Sequence, residues 1–226
     1  MADLDSMLLY EDNHLLVLRK PAGMLVQGDR TGDPSLLDEA KAWLKVRHGR
    51  PGDVFLGLVH RLDRTVGGVM VFARTSKAAA RLSEQLRGRS VEKEYLAVVR
   101  GLPDPPAATS VMYLTLDHGR SRVAPEAAPG ALRAELSYRV VEAGPTTSRL
   151  LVDLGTGRHH QIRAQFAALG HPILGDLRYG PKVRTRERLR SIGLYAVRLA
   201  FSHPTRDERV EFSVEPPADW PWLPLR

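Results

Sequence analysis

Residues 58–75, LVHRLDRTVGGVMVFART, place ionisable side chains inside a segment that is otherwise apolar. The run from Val69 to Ala73 predicts a buried strand, because its residues are apolar and two glycines precede it. The residues around the HRLDR stretch are just as apolar. An unpaired charge in such surroundings is strongly unfavourable. The fold must therefore give these charges partners, and a preorganised functional site is the expected reason for keeping them.

The charge of the chain narrows its possible partners. Its 226 residues carry 33 Lys and Arg against 26 Asp and Glu, which gives a formal net charge of +7. One interpretation is a soluble protein that happens to be basic. The other is a polyanion partner, most commonly nucleic acid. Charge alone leaves DNA, RNA and a membrane surface open.

The chain has no cysteine, which excludes disulfide bonds, cysteine nucleophiles and cysteine-ligated zinc. The first residues, MADLDSMLLYEDNHLL, lack the basic and apolar regions of a signal peptide. No apolar run approaches the roughly 18 residues that a membrane span needs. We expect a cytoplasmic protein that is not bound to a membrane.

Hydrophobic periodicity and turn residues predict many short strands and a few helices. Helices are predicted at 35–49, with Ser35 as N-cap, at 76–89 and at 159–170. Strands are predicted at 7–19, 69–73, 93–101, 134–144, 148–157, 194–204 and 209–217, the last four as two antiparallel hairpins, with a flexible connection at 102–110. The incomplete alternation of strands and helices favours one α+β domain over 1–226, with a mixed or antiparallel sheet and flanking helices.

Four polar segments interrupt this apolar framework: Lys20–Gly23, His60–Asp63, Lys93–Tyr95 and Gly157–Arg163. Each has an ordinary structural interpretation, since an Asp beside an Arg is usually a salt bridge, a strand Tyr is usually core, and a basic helix start is usually solvated. The adjacent histidines of the last segment point in different directions without an acid cluster nearby, so no metal site is predicted. Neither a dinucleotide-binding loop nor a kinase catalytic loop is complete. The joint occurrence of all four segments favours a functional site.

In the order of its motifs, the chain resembles the RluA family of pseudouridine synthases along almost its whole length. The matching segments are LYEDNHLLVLRKPAGMLVQ, HRLDRTVGG, VEKEYLAVVRG and LGTGRHHQIRAQFAALGHPILGDLRYG. The resemblance implies an α+β fold, a pseudouridine-synthase-like mixed, largely antiparallel β-sheet with flanking helices and a central RNA-binding cleft. It also implies isomerisation of uridine to pseudouridine within RNA, without a cofactor.

The chain departs from the family in two respects. Many relatives carry a small extra RNA-binding domain at the N-terminus, whereas here the first catalytic-domain strand is predicted within the first ten residues, so that domain is expected to be absent. The family pattern is close to HRLDxxTSG, and this chain has Val66 and Gly67 where Thr and Ser are usual. We expect this departure to affect the geometry of the loop rather than the role of Asp63.

The resemblance assigns catalysis to Asp63, Tyr95 and Arg163. Breaking the bond between base and sugar leaves an electron-poor sugar, which a carboxylate can stabilise. Asp63 either attacks the anomeric carbon or removes a neighbouring sugar proton to give a glycal, and the sequence leaves both routes open. Arg163 is the expected cationic partner that keeps Asp63 ionised. Tyr95 can stack on the uracil, and its hydroxyl can take the final proton directly or through water.

The target base must leave the RNA stack before it can react. Polar residues of the same motifs are therefore expected to hold the RNA, and Arg61 to fill the gap left by the flipped base or to hold the phosphate beside it. The predicted RNA-binding residues are His60, Arg61, Arg64, Lys93, Arg158, His160 and Gln161.

Two other functions remain as alternatives at this point. One is a catalytically silent RNA-binding protein on the same fold, and the other is a nucleoside glycosidase, in which water captures the sugar. Ribosomal RNA and transfer RNA are both open as substrates. We expect no obligatory protein partner and a monomeric protein.

Overall fold

The computed structural model describes residues 3–49, 51–181 and 191–221. Its helices are α1 (Leu4–Met7), α2 (Leu36–Arg47), α3 (Ser76–Arg87) and α4 (Gln161–Ala168). Its strands are β1 (Leu8–Glu11), β2 (Leu15–Lys20), β3 (Gly57–Leu58), β4 (Gly67–Ala73), β5 (Glu92–Arg100), β6 (Ala107–Asp117), β7 (Arg120–Ala124), β8 (Leu132–Ala143), β9 (Thr147–Leu154), β10 (Leu194–Ser202) and β11 (Arg209–Ser213).

The chain divides into two compact units, each built from two stretches of sequence. Unit 1 comprises the residues up to Val91 together with Arg198–Glu215. Unit 2 comprises Glu92–Val197 and the residues that follow Glu215. The single catalytic domain expected over 1–226 stays a prediction.

The prediction of a single strand at 7–19 is wrong, because this segment forms the antiparallel pair β1–β2. One carboxylate oxygen of Asp12 accepts hydrogen bonds from the backbone N–H groups of His14 and Leu15, both at 2.7 Å. An Asp side chain that binds the backbone two or three residues later stabilises a turn. The apolar pattern on both sides of this turn hid the break in the strand.

The core of unit 1 lies between its strands and helix α3. Strand β2 pairs with β4 in antiparallel register, with Val17 opposite Val71. Ala78 and Leu82 of α3 join these residues in one buried apolar cluster. The buried strand predicted at 69–73 and the helix predicted at 76–89 are confirmed.

Side-chain caps explain where the helices of unit 1 begin. The hydroxyl of Ser35 accepts a hydrogen bond from the backbone N–H of Asp38 at the start of α2, so the predicted N-cap is confirmed. Thr75 does the same for the N–H of Ala78 at the start of α3. Both hydroxyls satisfy an N–H that would otherwise lack an acceptor in the first helical turn.

Unit 2 is an antiparallel sheet in the order β5-β9-β8-β6-β7. The predicted pair at 134–144 and 148–157 is confirmed as β8–β9. The flexible connection predicted at 102–110 is wrong in its second half, because β6 begins at Ala107 and pairs with β8. The sequence analysis also missed the β6–β7 hairpin, whose turn has positive φ angles at His118 and Gly119. A two-residue turn of this kind requires positive φ, which His adopts less readily than Asn or Asp.

Helix α4 packs on the sheet of unit 2 through Ala164, which lies in a buried cluster with Leu114 of β6 and Ala134 of β8. The α+β fold with a largely antiparallel sheet and flanking helices is therefore confirmed. The final antiparallel pair is confirmed as β10–β11. No helix within residues 3–49, 51–181 and 191–221 has the length and hydropathy of a membrane span.

Candidate active site

The catalytic carboxylate predicted at Asp63 lies at the first position of a tight turn in unit 1. Its carbonyl oxygen accepts a hydrogen bond from the N–H of Val66 at 3.0 Å. Asp63 is half-buried between the buried residues Leu62 and Val66. Regular strand structure stops at Leu58 and resumes at Gly67, so the HRLD segment lies in the connection between β3 and β4.

The departure from the family pattern after Asp63 leaves this turn intact. Val66 closes the turn with its backbone N–H and buries its side chain, so no hydroxyl is needed at that position. Gly67 and the next glycine begin β4 and are buried. The chain therefore keeps a defined turn around Asp63 despite the substitution of Thr and Ser.

Reciprocal hydrogen bonds connect the Lys20–Gly23 loop to the Asp63 turn. The N–H of Gly23 donates to the carbonyl oxygen of Arg64 at 2.7 Å. The Nε of Arg64 donates in return to the carbonyl oxygen of Gly23 at 3.0 Å. Gly23 has a φ of 90°, a conformation that favours glycine. Two of the four polar segments thus form one connected structure.

Lys20 is the buried cation of this structure, with 0% of its surface exposed. Its Nζ donates hydrogen bonds to the carbonyl oxygens of Pro21, Met24 and Arg64 at 2.8 to 3.3 Å. Burial lowers the pKa of Lys20 to about 7, while the negative charge of Asp63 acts in the opposite direction and Arg64 adds to the lowering. No role was expected for Lys20 from the sequence. Its Lys-Pro-Ala-Gly turn was the only signal.

The burial of Lys20 predicts how the stability of the protein depends on pH. The unfolded chain holds this proton up to about pH 10.4, whereas the folded chain releases it near pH 7. Between these values the unfolded state binds more protons, so the free energy of unfolding should rise with pH. Lys20→Met should remove this component of the slope.

Denaturant unfolding of both proteins from pH 6 to pH 10 measures the effect. The difference in free energy of unfolding between wild type and Lys20→Met should change across this window and level off below it. Parallel curves throughout would show that Lys20 keeps an ordinary pKa.

The other predicted site residues of unit 1 differ in whether their side chains form hydrogen bonds or ion pairs within the protein. The Nε2 of His60, a half-buried residue, accepts a hydrogen bond from the N–H of Val71 at 3.0 Å. Arg64 forms a half-exposed ion pair with Asp33 at 2.8 Å. Arg61 is exposed and makes no hydrogen bond or ion pair within the described part of the chain. Arg61 is therefore the side chain of this group that is available to a ligand.

Strand β5 of unit 2 carries Lys93 and Tyr95. The two residues are separated by one position, so their side chains lie on the same face of the strand. Tyr95 is buried and pairs with Val152 of β9. Lys93 is half-buried.

Arg163 in the first turn of α4 forms a buried ion pair with Asp176. Its Nε and Nη2 donate to the two carboxylate oxygens at 2.7 and 2.9 Å, which is a bidentate arrangement. Burial by itself would raise the pKa of Asp176, but the hydrogen bonds and charge of Arg163, together with backbone N–H groups of Tyr179 and Arg178, hold that pKa below its usual value. The sequence analysis missed Asp176, although the GDLRYG segment that contains it belongs to the family motif.

Tyr179 links this ion pair to the start of α4. The guanidinium of Arg163 lies 5.1 Å from its ring centroid, within the range of a cation–π interaction. Its hydroxyl accepts a hydrogen bond from the N–H of Ser121 and lies 3.0 Å from Nδ1 of His160. His160 has a φ of 49° and stacks on His159, with ring centroids 3.7 Å apart. The sequence analysis also missed Tyr179.

Gln161 and Arg158 hold the loop before α4 in place. Gln161 is 2% exposed, and its amide oxygen accepts hydrogen bonds from Thr156 and from the N–H of Arg158. Its amide nitrogen donates to the carbonyl oxygen of Glu135. Arg158 donates through Nε to the carbonyl oxygen of Arg133. The fold itself thus uses these two polar side chains.

The structure brings several of the predicted residues together within each unit. Lys20, Asp63 and Arg64 belong to one connected structure in unit 1, and His160 and Arg163 share Tyr179 in unit 2. Among residues 3–49, 51–181 and 191–221, no three His, Cys, Asp or Glu side chains are grouped so as to hold a metal ion. The chemistry available to these residues is that of carboxylate, ammonium, guanidinium, imidazole and phenol groups.

Comparison with known proteins identifies the family. The model of the RNA pseudouridylate synthase family matches residues 14–168. Ribosomal large subunit pseudouridine synthase D of Vibrio cholerae is 35% identical over 239 residues, which cover 96% of this chain and 69% of that protein. Ribosomal large subunit pseudouridine synthase C of Escherichia coli is 34% identical over 230 residues, which cover 97% and 68%.

A solved structure is also similar. Human RNA Pseudouridylate Synthase Domain Containing 4 superposes with a TM-score of 0.80 at 25% sequence identity, covering 96% of this chain and 91% of that one. The match of the family model over more than half of the chain, with relatives above 30% identity that are covered over more than two thirds of their length, shows that this chain belongs to the RNA pseudouridylate synthase family and is an enzyme that forms pseudouridine in RNA.

Proposed function

We propose that this enzyme isomerises specific uridines in structured RNA, using Asp63 as its catalytic carboxylate after the uridine has been flipped out of the RNA. The observation that carries the proposal is the setting of Asp63. A tight turn fixes the backbone of Asp63. The buried ammonium of Lys20, which donates hydrogen bonds to three carbonyl oxygens, lies close enough to Asp63 for the two charges to interact. A carboxylate fixed in this way needs little reorganisation during a reaction.

The reaction rearranges bonds without any change in composition. The bond from uracil N1 to sugar C1′ breaks, and a bond from uracil C5 to C1′ forms. C5 then loses its proton, and N1 carries one in the product. Asp63 either attacks C1′ to form a covalent intermediate or removes the proton at C2′ to give a glycal. Both routes require the ionised carboxylate.

Three further residues complete the proposed chemistry. Lys20 supplies positive charge near Asp63 from within unit 1. Arg163 is proposed as a second cationic partner of Asp63, as the family resemblance implies, in addition to its ion pair with Asp176. Tyr95 is proposed to stack on the uracil and to take part in the final proton transfer.

The residues proposed to bind RNA fall into two groups. Some side chains have no partner in the described part of the chain, and others are already hydrogen-bonded within the protein. Arg61, which is exposed, is proposed to fill the space of the flipped base or to hold a neighbouring phosphate. Lys93 is proposed to bind RNA directly. His60 and Gln161 are bound to the fold, so we propose that they act on RNA by shaping their loops. Arg64, Arg158 and His160 complete the proposed set.

The proposed substrate is ribosomal RNA, with transfer RNA as the second candidate. The relatives named above are ribosomal large subunit pseudouridine synthases, and the net charge of +7 suits a polyanion. We propose that the enzyme works in the cytoplasm as a monomer, without a cofactor. Pseudouridine mapped across total RNA, with and without the protein, tests the proposal. One or a few sites should disappear, whereas an unchanged map or release of free uracil would contradict it.

Binding of the substrate RNA should weaken steeply with salt. Each phosphate neutralised by Lys or Arg releases counterions, so the logarithm of affinity should fall linearly with the logarithm of salt concentration. Filter binding of Asp63→Asn to substrate RNA between about 50 and 200 mM salt measures the slope without turnover. Equal affinity across this range would mean that the basic charge does not contact the RNA backbone.

A further inference from the structure

Among the described residues, burial lowers the pKa of two lysines, Lys20 and Lys93, whose surroundings differ. Lys20 has three carbonyl acceptors and the charge of Asp63 nearby. Lys93 is half-buried and makes no hydrogen bond or ion pair with any residue in the described part of the chain. A partly desolvated cation without a partner costs free energy. In the described part of the chain, no hydrogen bond or ion pair of the Lys93 side chain offsets this cost.

The electrostatics of Lys93 agree with the absence of a partner. Burial lowers the pKa of Lys93, and no neighbouring acid opposes this effect. An anion that approached the ammonium would restore both its charge and its hydrogen bonds. A partly desolvated ammonium also attracts an anion more strongly than a lysine in open solvent does, because the effective dielectric constant is lower.

Gly157 leaves space for such an anion. The Nζ of Lys93 lies 3.7 Å from the position that a Cβ of residue 157 would occupy. Gly157 is exposed and belongs to the loop that precedes α4. A methyl group there would contact the ammonium without a clash and would occupy the space beside it. The absence of a side chain at this position keeps one approach to Lys93 open.

We infer that Lys93 and Gly157 form a phosphate-binding position for the RNA backbone next to the target uridine. This inference rests on the proposed function, because Tyr95, on the same face of β5 and about 7 Å along the strand, is the residue proposed to stack on the uracil. A phosphate suits the position because an ammonium binds it as a point charge. Lys93 then positions the substrate and takes no part in bond breaking.

The test compares Lys93→Met and Lys93→Arg with Lys45→Met, which removes the charge of an exposed lysine on α2. The probe is a synthetic RNA that carries the mapped target uridine. Lys93→Met should lower the affinity several-fold and reduce the slope of log affinity against log salt by about one. At enzyme concentrations below saturation the single-turnover rate should fall in proportion to the loss of affinity, since an interaction equal in ground and transition state acts through binding. Lys93→Arg should restore the slope.

A neutral linkage in the RNA identifies the phosphate. RNAs with a single methylphosphonate on the 5′ or the 3′ side of the target uridine should lose affinity for wild type at one of the two positions. Lys93→Met should be insensitive to that same replacement, because the two changes remove the same contact. Additive losses at both positions would overturn the inference.

Gly157→Ala provides an independent variant. Its backbone conformation accepts alanine, since its φ lies outside the left-handed region, and it should lose affinity as Lys93→Met does. Lys93→Met should unfold at the same or a higher temperature than wild type, because it removes an unpaired charge. A lower unfolding temperature would assign Lys93 a structural role. Inactivity of the wild type on every RNA would contradict the proposed function, whereas an active wild type with an unchanged salt slope in Lys93→Met would contradict this inference alone.

Discussion

Asp63→Asn should abolish pseudouridine formation while leaving the fold and RNA binding intact. The amide has nearly the same shape as the carboxylate, but it can act neither as a nucleophile nor as a base. The turn should persist, because Asp63 closes it with its backbone carbonyl oxygen. We expect the single-turnover rate to fall by at least about 10³-fold, with RNA affinity within a few-fold of wild type.

Asp53→Asn is the matched control, because it makes the same chemical change at an exposed residue in unit 1 that has no partner in the described part of the chain. Its rate should equal that of wild type. If Asp63→Asn kept activity within tenfold of wild type, Asp63 would not be the catalytic carboxylate.

A second consequence of Asp63→Asn reports on Lys20 independently of activity. The charge of Asp63 raises the pKa of Lys20 against the effect of burial. Removing that charge should lower the pKa of Lys20 below about 7. The pH window in which stability changes should therefore extend to lower pH in the variant. An unchanged window would mean that the two charges do not interact.

Local patterns allowed much of this fold to be predicted from the sequence. Ser35 was recognisable as a helix cap, and the alternating residues of β8 and β9 identified their hairpin. The turn at Asp12 was not predicted, because the apolar residues before and after its short polar stretch continue one strand pattern and a single carboxylate closes the turn. The turn at His118 escaped because His is an unusual residue for a conformation with positive φ.

The candidate site was less predictable, because its contacts connect residues that no sequence period relates. Asp176 follows Arg163 by 13 positions and belongs to a different local structure, so only the folded chain shows that they pair. Lys20 looked like part of a turn, and its burial depends on carbonyl groups that the turn directs inward.

The second large effect is expected at Arg163. Arg163→Met keeps much of the apolar stem of the side chain and removes its charge. We expect the single-turnover rate at neutral pH to fall by about 10²–10³-fold, because the variant lacks the second cation proposed to act on the catalytic carboxylate. RNA affinity should change much less. Arg139→Met, an exposed arginine on β8 without a partner in the described part of the chain, is the control.

The ion pair with Asp176 complicates this prediction and also provides the means to resolve it. Arg163→Met leaves a fully buried carboxylate without its partner, which should destabilise the protein by about 3–5 kcal/mol. Combining Arg163→Met with Asp176→Asn removes that unpaired charge and should restore most of the stability. If Arg163 acts on the reaction through Asp63, the rate of the double variant should remain low although its stability recovers.

The three variants therefore separate two roles that a single substitution would merge. Rate and unfolding free energy are measured for Arg163→Met, for Asp176→Asn and for the double variant, each from pH 6 to pH 9 with RNA binding in parallel. A rate that recovers together with stability would limit Arg163 to holding the Asp176 turn. A variant that lost RNA affinity but kept its rate in the bound state would make Arg163 a phosphate contact. Only a loss of rate that persists when stability recovers, with RNA affinity retained, agrees with a guanidinium that acts on the reaction through the catalytic carboxylate.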